Sequence, residues 1–147
     1  MSTDRRADPH VVAVVDDDEA VRGSMERVLR SAGYRVVLYS DGADLIVSLR
    51  SASPACVLLD LEMPWATGLD VLSHLARQRV RIPAIIVTGR DTQYTRRRAA
   101  IGGAAAYFTK PIDPSVLLTA IEAVIRDTGS PGMDAAGGAD SHPPDFS

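Results

Sequence analysis

Short apolar runs at residues 11–15, 56–59 and 84–87 alternate with longer stretches whose apolar side chains return at helical spacing. The runs are too short for helices. Their Val, Ile and Leu content without polar alternation suits strands buried on both faces. Two further runs, Arg35–Tyr39 and residues 105–108, complete five predicted strands. Between them Glu19–Ser31 places Val21, Met25, Val28 and Leu29 on one helical face, and Gly33 supplies a left-handed residue beyond its end. Residues 41–49 form a second helix with Ala43, Ile46 and Leu49 inward, broken by Ser53 and Pro54. Thr67 reads as the N-cap of a helix over 68–78, with Asp70 in its first turn. A more polar helix over 91–101 stops at Gly102 and Gly103. Asp113 caps the last helix, with Pro114 at its first position and a stripe of Val116, Leu117, Ala120, Ile121, Val124 and Ile125.

Strands alternating with helices imply repeated βα units and an open, doubly wound parallel sheet. Such sheets place ligand sites beyond the carboxyl ends of their strands, at a switch in strand order. The polar residues that end the apolar runs fall there. Asp16 and Asp17 close the first strand, Asp60 the third, Thr88 the fourth, and Lys110 lies just past the fifth.

Composition narrows the picture. The 147 residues, 46% hydrophobic, suit one domain, predicted over 9–127 between a flexible start at 1–8 and a tail at 128–147. The tail is Gly- and Pro-rich and holds Asp134, Asp140 and Asp145 without a Lys or Arg, so it is expected to be disordered. The formal net charge of −3 therefore sits in the tail, and nothing resembles the basic footprint of a nucleic-acid-binding domain. The single cysteine, Cys56, excludes an internal disulfide and reads as a small core residue. No secretory h-region and no run of about 20 apolar residues is present, so a cytoplasmic location with no membrane contact is expected. Lys110 is the only lysine; the other basic residues are all arginine, as if a compact ammonium were wanted at that one place.

Three carboxylates in one crevice repel and need a compensating cation. An all-oxygen set is the usual environment of Mg²⁺, whereas His10, His74 and His142 are too scattered for a zinc site. An ammonium and a hydroxyl, Lys110 and Thr88, can hold oxygens of a phosphoryl group. A carboxylate is a competent nucleophile, so the arrangement suggests in-line attack by Asp60 on a phosphorylated donor.

The strings Val-Val-Asp16-Asp17-Asp18-Glu19, Leu-Leu-Asp60-Leu-Glu-Met-Pro64, Ile-Val-Thr88-Gly89 and Tyr107-Phe-Thr-Lys110-Pro111 resemble the receiver domain of two-component response regulators, in order and spacing, over about 9–127. The local wording is similar to the FixJ-like subgroup. The resemblance implies a flavodoxin-like, CheY-like (βα)5 fold with strand order 2-1-3-4-5. It makes Asp60 the phospho-acceptor, and Asp16 and Asp17 the acidic pair that holds Mg²⁺ together with Asp60 and the backbone carbonyl of Glu62. Lys110 and Thr88 would bind the phosphoryl group, with a cis peptide between Lys110 and Pro111. Thr88 and Tyr107 would form the switch, the hydroxyl moving toward the phosphoryl group and the aromatic turning inward behind it. The implied partners are a histidine kinase or histidine phosphotransfer protein and a downstream protein, with phosphorylation-dependent homodimerisation compatible.

The expected function is thus a stand-alone response regulator: no enzyme beyond self-directed phosphotransfer and autodephosphorylation, and no direct contact with nucleic acid. A receiver fragment of a longer DNA-binding regulator is one alternative. The other is a haloacid-dehalogenase-like phosphatase, because Asp16-x-Asp18 resembles its nucleophile motif, though that leaves Asp60 without a role. Three local features depart from the common pattern. Trp65 could pack over the loop or gate the pocket, Glu62 and Arg90 could pair across its mouth, and Arg96, Arg97 and Arg98 read as a charged helix face.

Overall fold

The computed structural model describes residues 8–62, 68–78 and 81–128. Five parallel strands, β1 (Asp8–Val15), β2 (Arg35–Tyr39), β3 (Pro54–Leu59), β4 (Ala84–Thr88) and β5 (Ala106–Thr109), lie in the order β2-β1-β3-β4-β5. Helices α1 (Glu19–Ser31), α2 (Gly42–Ser48), α3 (Gly68–Leu75), α4 (Gln93–Ile101) and α5 (Pro114–Thr128) connect and follow them. Fold class and strand order are those the sequence led us to expect.

Alternation along the strands builds two cores. Val12, Val14, Cys56, Leu58, Ile85 and Val87 meet Met25 and Leu29 of α1 and Leu117 and Ile121 of α5. Their neighbours Ala13, Val15, Val57, Leu59 and Ile86 face the other way, onto Leu45 of α2, Val71, Leu72 and Leu75 of α3, and Ala99 of α4. Successive side chains of a strand point to opposite faces, so a strand buried on both sides must be apolar throughout. Every residue of β3 and β4 is buried, which is why those two runs carry no polar position until they end.

Helix ends follow local chemistry. Asp18 caps α1 by accepting from the amides of Ala20 and Val21, and Asp41 caps α2 through Asp44. Gly33 (φ +95°) and Gly103 (φ +91°) take the left-handed conformation that ends α1 and α4. Several boundaries differ from the sequence expectation. β1 begins at Asp8, where it pairs with Pro54 beyond an irregularity in the β1–β3 register. α3 ends at Leu75, and α4 starts at Gln93 rather than at Asp91, because Thr92 is its cap. The expected cap Thr67, together with Met63, Pro64 and Trp65, lies outside the described residues, as do residues 1–7 and the tail from 129.

The order of strands reverses between β1 and β3, since β2 lies on one side of β1 and β3, β4 and β5 on the other. The crevice at the carboxyl ends of β1 and β3 is the switch point at which doubly wound sheets bind ligands.

Candidate functional site

The site residues extend the sheet's own ladder by one step. The amide of Asp16 donates to the carbonyl of Tyr39 at 3.1 Å, that of Asp60 to Val15 at 3.0 Å, and that of Lys110 to Thr88 at 2.9 Å. Main-chain positions are therefore set by strand pairing, and only the side chains leave the ladder. The Lys110–Pro111 peptide bond is cis.

Asp16, Asp17 and Asp60 each bring one carboxylate oxygen into a group lying within 4.8 Å of one another. Asp16 and Asp60 are buried, whereas Asp17 is exposed and keeps the cluster open to solvent. The Lys110 ammonium donates to Asp16 Oδ2 at 2.7 Å and reaches Asp60 Oδ2 at 3.4 Å. Burial raises the carboxyl pKa of Asp60, with the charge of Asp16 adding to it. The Glu62 amide and the Lys110 ammonium oppose this without cancelling it. Burial alone would lower the pKa of Lys110, but its hydrogen bond to Asp16 and the charges of Asp60 and Asp16 outweigh that, and the net direction is upward.

One ammonium does not neutralise three carboxylates. The donors are all oxygen, and the cluster can hold a hard cation. Asp18 is not part of it, because its carboxylate is spent on the α1 cap. Asp16 and Asp18, the two residues of the motif behind the phosphatase reading, therefore serve different contacts.

Thr88 is fully buried beside the acidic group. Its hydroxyl accepts the Arg90 amide at 3.2 Å and, among the described residues, donates at best to Glu62 Oε1 at 3.4 Å or the Arg90 carbonyl at 3.5 Å. Both donations exceed the 2.5–3.0 Å of a good O–H···O bond. The Glu62 amide donates to Asp60 Oδ1 at 3.0 Å, so Glu62 touches both Asp60 and Thr88. The Glu62–Arg90 pair that the sequence allowed is not formed among the described residues: the carboxylate turns inward over Gly89 to the Thr88 hydroxyl.

Sequence reasoning missed three contributors. Arg22 donates from Nη1 to the Asp16 carbonyl at 2.7 Å and so fixes the loop that carries the acidic pair. Nothing distinguishes it in sequence from the other arginines of α1. Gly68 packs directly against the backbone of Asp60 and Leu61. Around Tyr107, the hydroxyl contacts Thr95 and Asp91, and Arg96 lies over the ring. Part of this was legible, since Thr92 and Thr95 have the spacing of a capping box.

Known proteins resemble the chain in sequence and in fold. The family model of the response regulator receiver domain matches residues 12–122. The response regulator MprA of Mycolicibacterium vanbaalenii is 37% identical over 120 residues, 82% of this chain and 52% of that protein. This chain spans about half the length of the curated relatives it matches. A CheY-like receiver domain protein from Methanospirillum hungatei superposes with a TM-score of 0.76 at 25% identity, covering 80% of this chain and 94% of that one. The FixJ-N crystal structure superposes at 0.74 with 27% identity over 80% and 94% of the two chains. With a matching family model, matching relatives and a matching sheet order, the chain belongs to the response regulator receiver domain family of two-component signalling.

Proposed function

We propose that the protein is a phosphorylation switch whose acceptor is Asp60, charged by a phosphohistidine of a histidine kinase or phosphotransfer protein. The observation that carries this is the convergence of Asp60, Lys110 and Thr88 at three strand ends, with Asp16 and Asp17 beside them. An Asp60 carboxylate oxygen attacks phosphorus, the N–P bond breaks, and its electron pair returns to the departing imidazole, which takes up a proton. Asp16, Asp17, Asp60 and the Glu62 backbone carbonyl would hold Mg²⁺, which would act as a Lewis acid offsetting charge on the transferring group. Lys110 is already hydrogen-bonded to both buried carboxylates and can exchange one of them for a phosphoryl oxygen. Thr88 offers a hydroxyl whose present acceptors are distant.

The same reading makes Thr88 and Tyr107 the switch and sends output through protein contacts, either to a downstream partner or to a second phosphorylated copy. It involves no direct contact with nucleic acid. Catalysis is confined to the protein's own phosphorylation and dephosphorylation. Within the family we place the chain nearest the FixJ-like receivers, a placement supported by its motif wording. A cytoplasmic location suits a kinase substrate, and among the described residues no helix is long and apolar enough to cross a membrane. The length of the relatives favours a second reading, a receiver unit of a longer regulator.

Intact mass after incubation with acetyl phosphate tests the core of the proposal. Wild type should gain one phosphoryl group only when Mg²⁺ is present, and Asp60→Asn should gain none. Addition without Mg²⁺, or undiminished addition to Asp60→Asn, would reject it.

A further inference from the structure

The short loop between β1 and α1 carries the acidic pair, and its two aspartates are held in different ways. Asp16 is tied at every polar atom. Its amide donates to the Tyr39 carbonyl at 3.1 Å, Oδ1 accepts the Asp18 amide at 2.9 Å, Oδ2 accepts Lys110 at 2.7 Å, and its carbonyl accepts Arg22 Nη1 at 2.7 Å. The Asp17 carboxylate is exposed, and among the described residues no hydrogen bond or ion pair fixes it. Main chain therefore sets its direction. The peptide group after Asp17 is anchored by its N–H, through the bond from the Asp18 amide to Asp16. The peptide group before Asp17 is anchored by its carbonyl, and among the described residues Arg22 is the one group that holds it.

Arg22 lies in the first turn of α1, where its own amide donates to the Asp18 carbonyl at 3.0 Å. Helical side chains lean toward the helix N-terminus, so the guanidinium reaches back onto the loop. The helix dipole disfavours a cation at that end, and helix stability does not account for its place. Attraction to the acidic pair offsets the dipole while no cation is bound. For Mg²⁺ the two properties of Arg22 act with opposite sign. Its charge repels a divalent ion, whereas its charge-assisted bond keeps Asp17 turned toward the cluster.

We infer that Arg22 is a positioning residue for the divalent cation: by holding the Asp16 carbonyl it orients the peptide that aims Asp17, and this outweighs the repulsion its charge exerts on Mg²⁺. The inference rests on the phospho-acceptor reading, which calls for Mg²⁺ at this cluster, and adds a residue outside the ligand set that governs its affinity. Partners that orient metal ligands from outside typically change affinity by about 10- to 100-fold. Arg22 touches neither the phosphoryl group nor the ion, and acts through Asp16 and Asp17 alone.

The test is a Mg²⁺ titration followed by amide chemical shifts, which report the dissociation constant and, in the same spectra, whether each variant is folded. Arg22→Ala should weaken Mg²⁺ binding roughly tenfold. Arg27→Ala removes the same charge from an exposed site further along α1 that has no bond to the loop among the described residues, and should bind Mg²⁺ as wild type does. Arg22→Lys keeps the charge but ends in an ammonium a bond short of Nη1; it should also bind more weakly, and it decides the matter if Arg22→Ala fails to fold. Charge repulsion alone predicts the opposite sign, tighter binding in Arg22→Ala. A merely structural role lowers the unfolding midpoint and leaves the dissociation constant of the folded protein where it was. Affinity at or above wild type in folded Arg22→Ala, or an equal loss in Arg27→Ala, would overturn the inference while leaving the Mg²⁺ site intact. Failure of wild type to bind Mg²⁺ would remove the underlying reading, and the role of Arg22 with it.

Discussion

Gly68 is the position at which a single methyl group should disturb both fold and chemistry. A Cβ there would stand 2.5 Å from the Asp60 carbonyl oxygen and 2.8 Å from the Leu61 Cα and Cδ2. Ordinary contact starts near 3.4 Å, so the shortest approach is deficient by about 0.9 Å. Two of the three obstructing atoms are main chain and cannot swing aside. Overpacking of this kind costs about 1–3 kcal/mol. Alanine in place of glycine within a helix returns up to about 1 kcal/mol. The net loss for Gly68→Ala should be about 1–2 kcal/mol, read as a fall of roughly 3–8 °C in the unfolding midpoint for a domain of this size. The functional effect should be larger than the thermodynamic one. The atom displaced belongs to Asp60, whose carboxylate must stay in register with Lys110, and misplacement by about 1 Å can slow a reaction about 100-fold. We expect phosphorylation by acetyl phosphate to slow roughly tenfold in protein that is still folded at the assay temperature. Gly102→Ala is the contrasting variant. Its closest obstruction, at 2.6 Å, is the tip of the Leu72 side chain, which can rotate away, and the pocket is not involved. If Gly68→Ala unfolds at the wild-type temperature and reacts at the wild-type rate, the packing argument fails.

Three other outcomes follow from the pocket. Asp60 has a raised carboxyl pKa, so the folded state binds more protons than the unfolded chain between the ordinary and the raised value, and stability falls as pH rises through that window. Asp60→Asn should therefore be more stable than wild type near neutrality, with the advantage shrinking as the solution is acidified; urea titrations at several pH values would show it, and a pH-independent difference would contradict it. Lys110→Arg keeps the charge but cannot reproduce contacts of 2.7 and 3.4 Å to two carboxylates with a planar fork, so it should fold and respond poorly to phosphodonor; normal phosphorylation-dependent output would make the lone lysine an accident of composition. Glu62→Gln removes a negative charge beside Thr88 while keeping an acceptor there, and should accelerate acetyl phosphate labelling a few-fold, an effect that must weaken with added salt.

How much of this could be read from the chain alone depends on what each feature rests upon. Strands β3 and β4 were legible because burial on both faces forbids polar residues, so the first polar side chain marks both the strand's end and the site. The same logic brings Asp16, Asp60 and Thr88 together, whereas Lys110 follows the polar Thr109 of a half-buried strand and stands out as the lone lysine. Directions of side chains were not legible. Glu62 and Arg90 stand at equivalent steps beyond Asp60 and Thr88, and their charges suggested a pair. The buried hydroxyl of Thr88 needed an acceptor, and Glu62 serves it instead. Asp91 illustrates the same limit. Its position suggested the first residue of α4, but Thr92 and Thr95 form the cap, and the Asp91 carboxylate goes to Arg96 and Tyr107. Contacts made through backbone, such as Gly68 on Asp60, leave no trace in residue type beyond the glycine itself.

Cys56 sits at 0% exposure in the middle of β3, and burial pushes its thiol up to about 12. An alkylating reagent that needs thiolate finds almost none in the native protein. The sheet must come apart before the sulfur can react. As the sole thiol in the chain, it gives one modification event per molecule and no disulfide exchange to confuse the count. The protein thus carries an internal opening clock that requires no introduced label. Ligands that favour the native fold should slow that clock in proportion to their affinity. A core thiol, rather than any residue of the pocket, is therefore the most convenient reporter of what the pocket has bound.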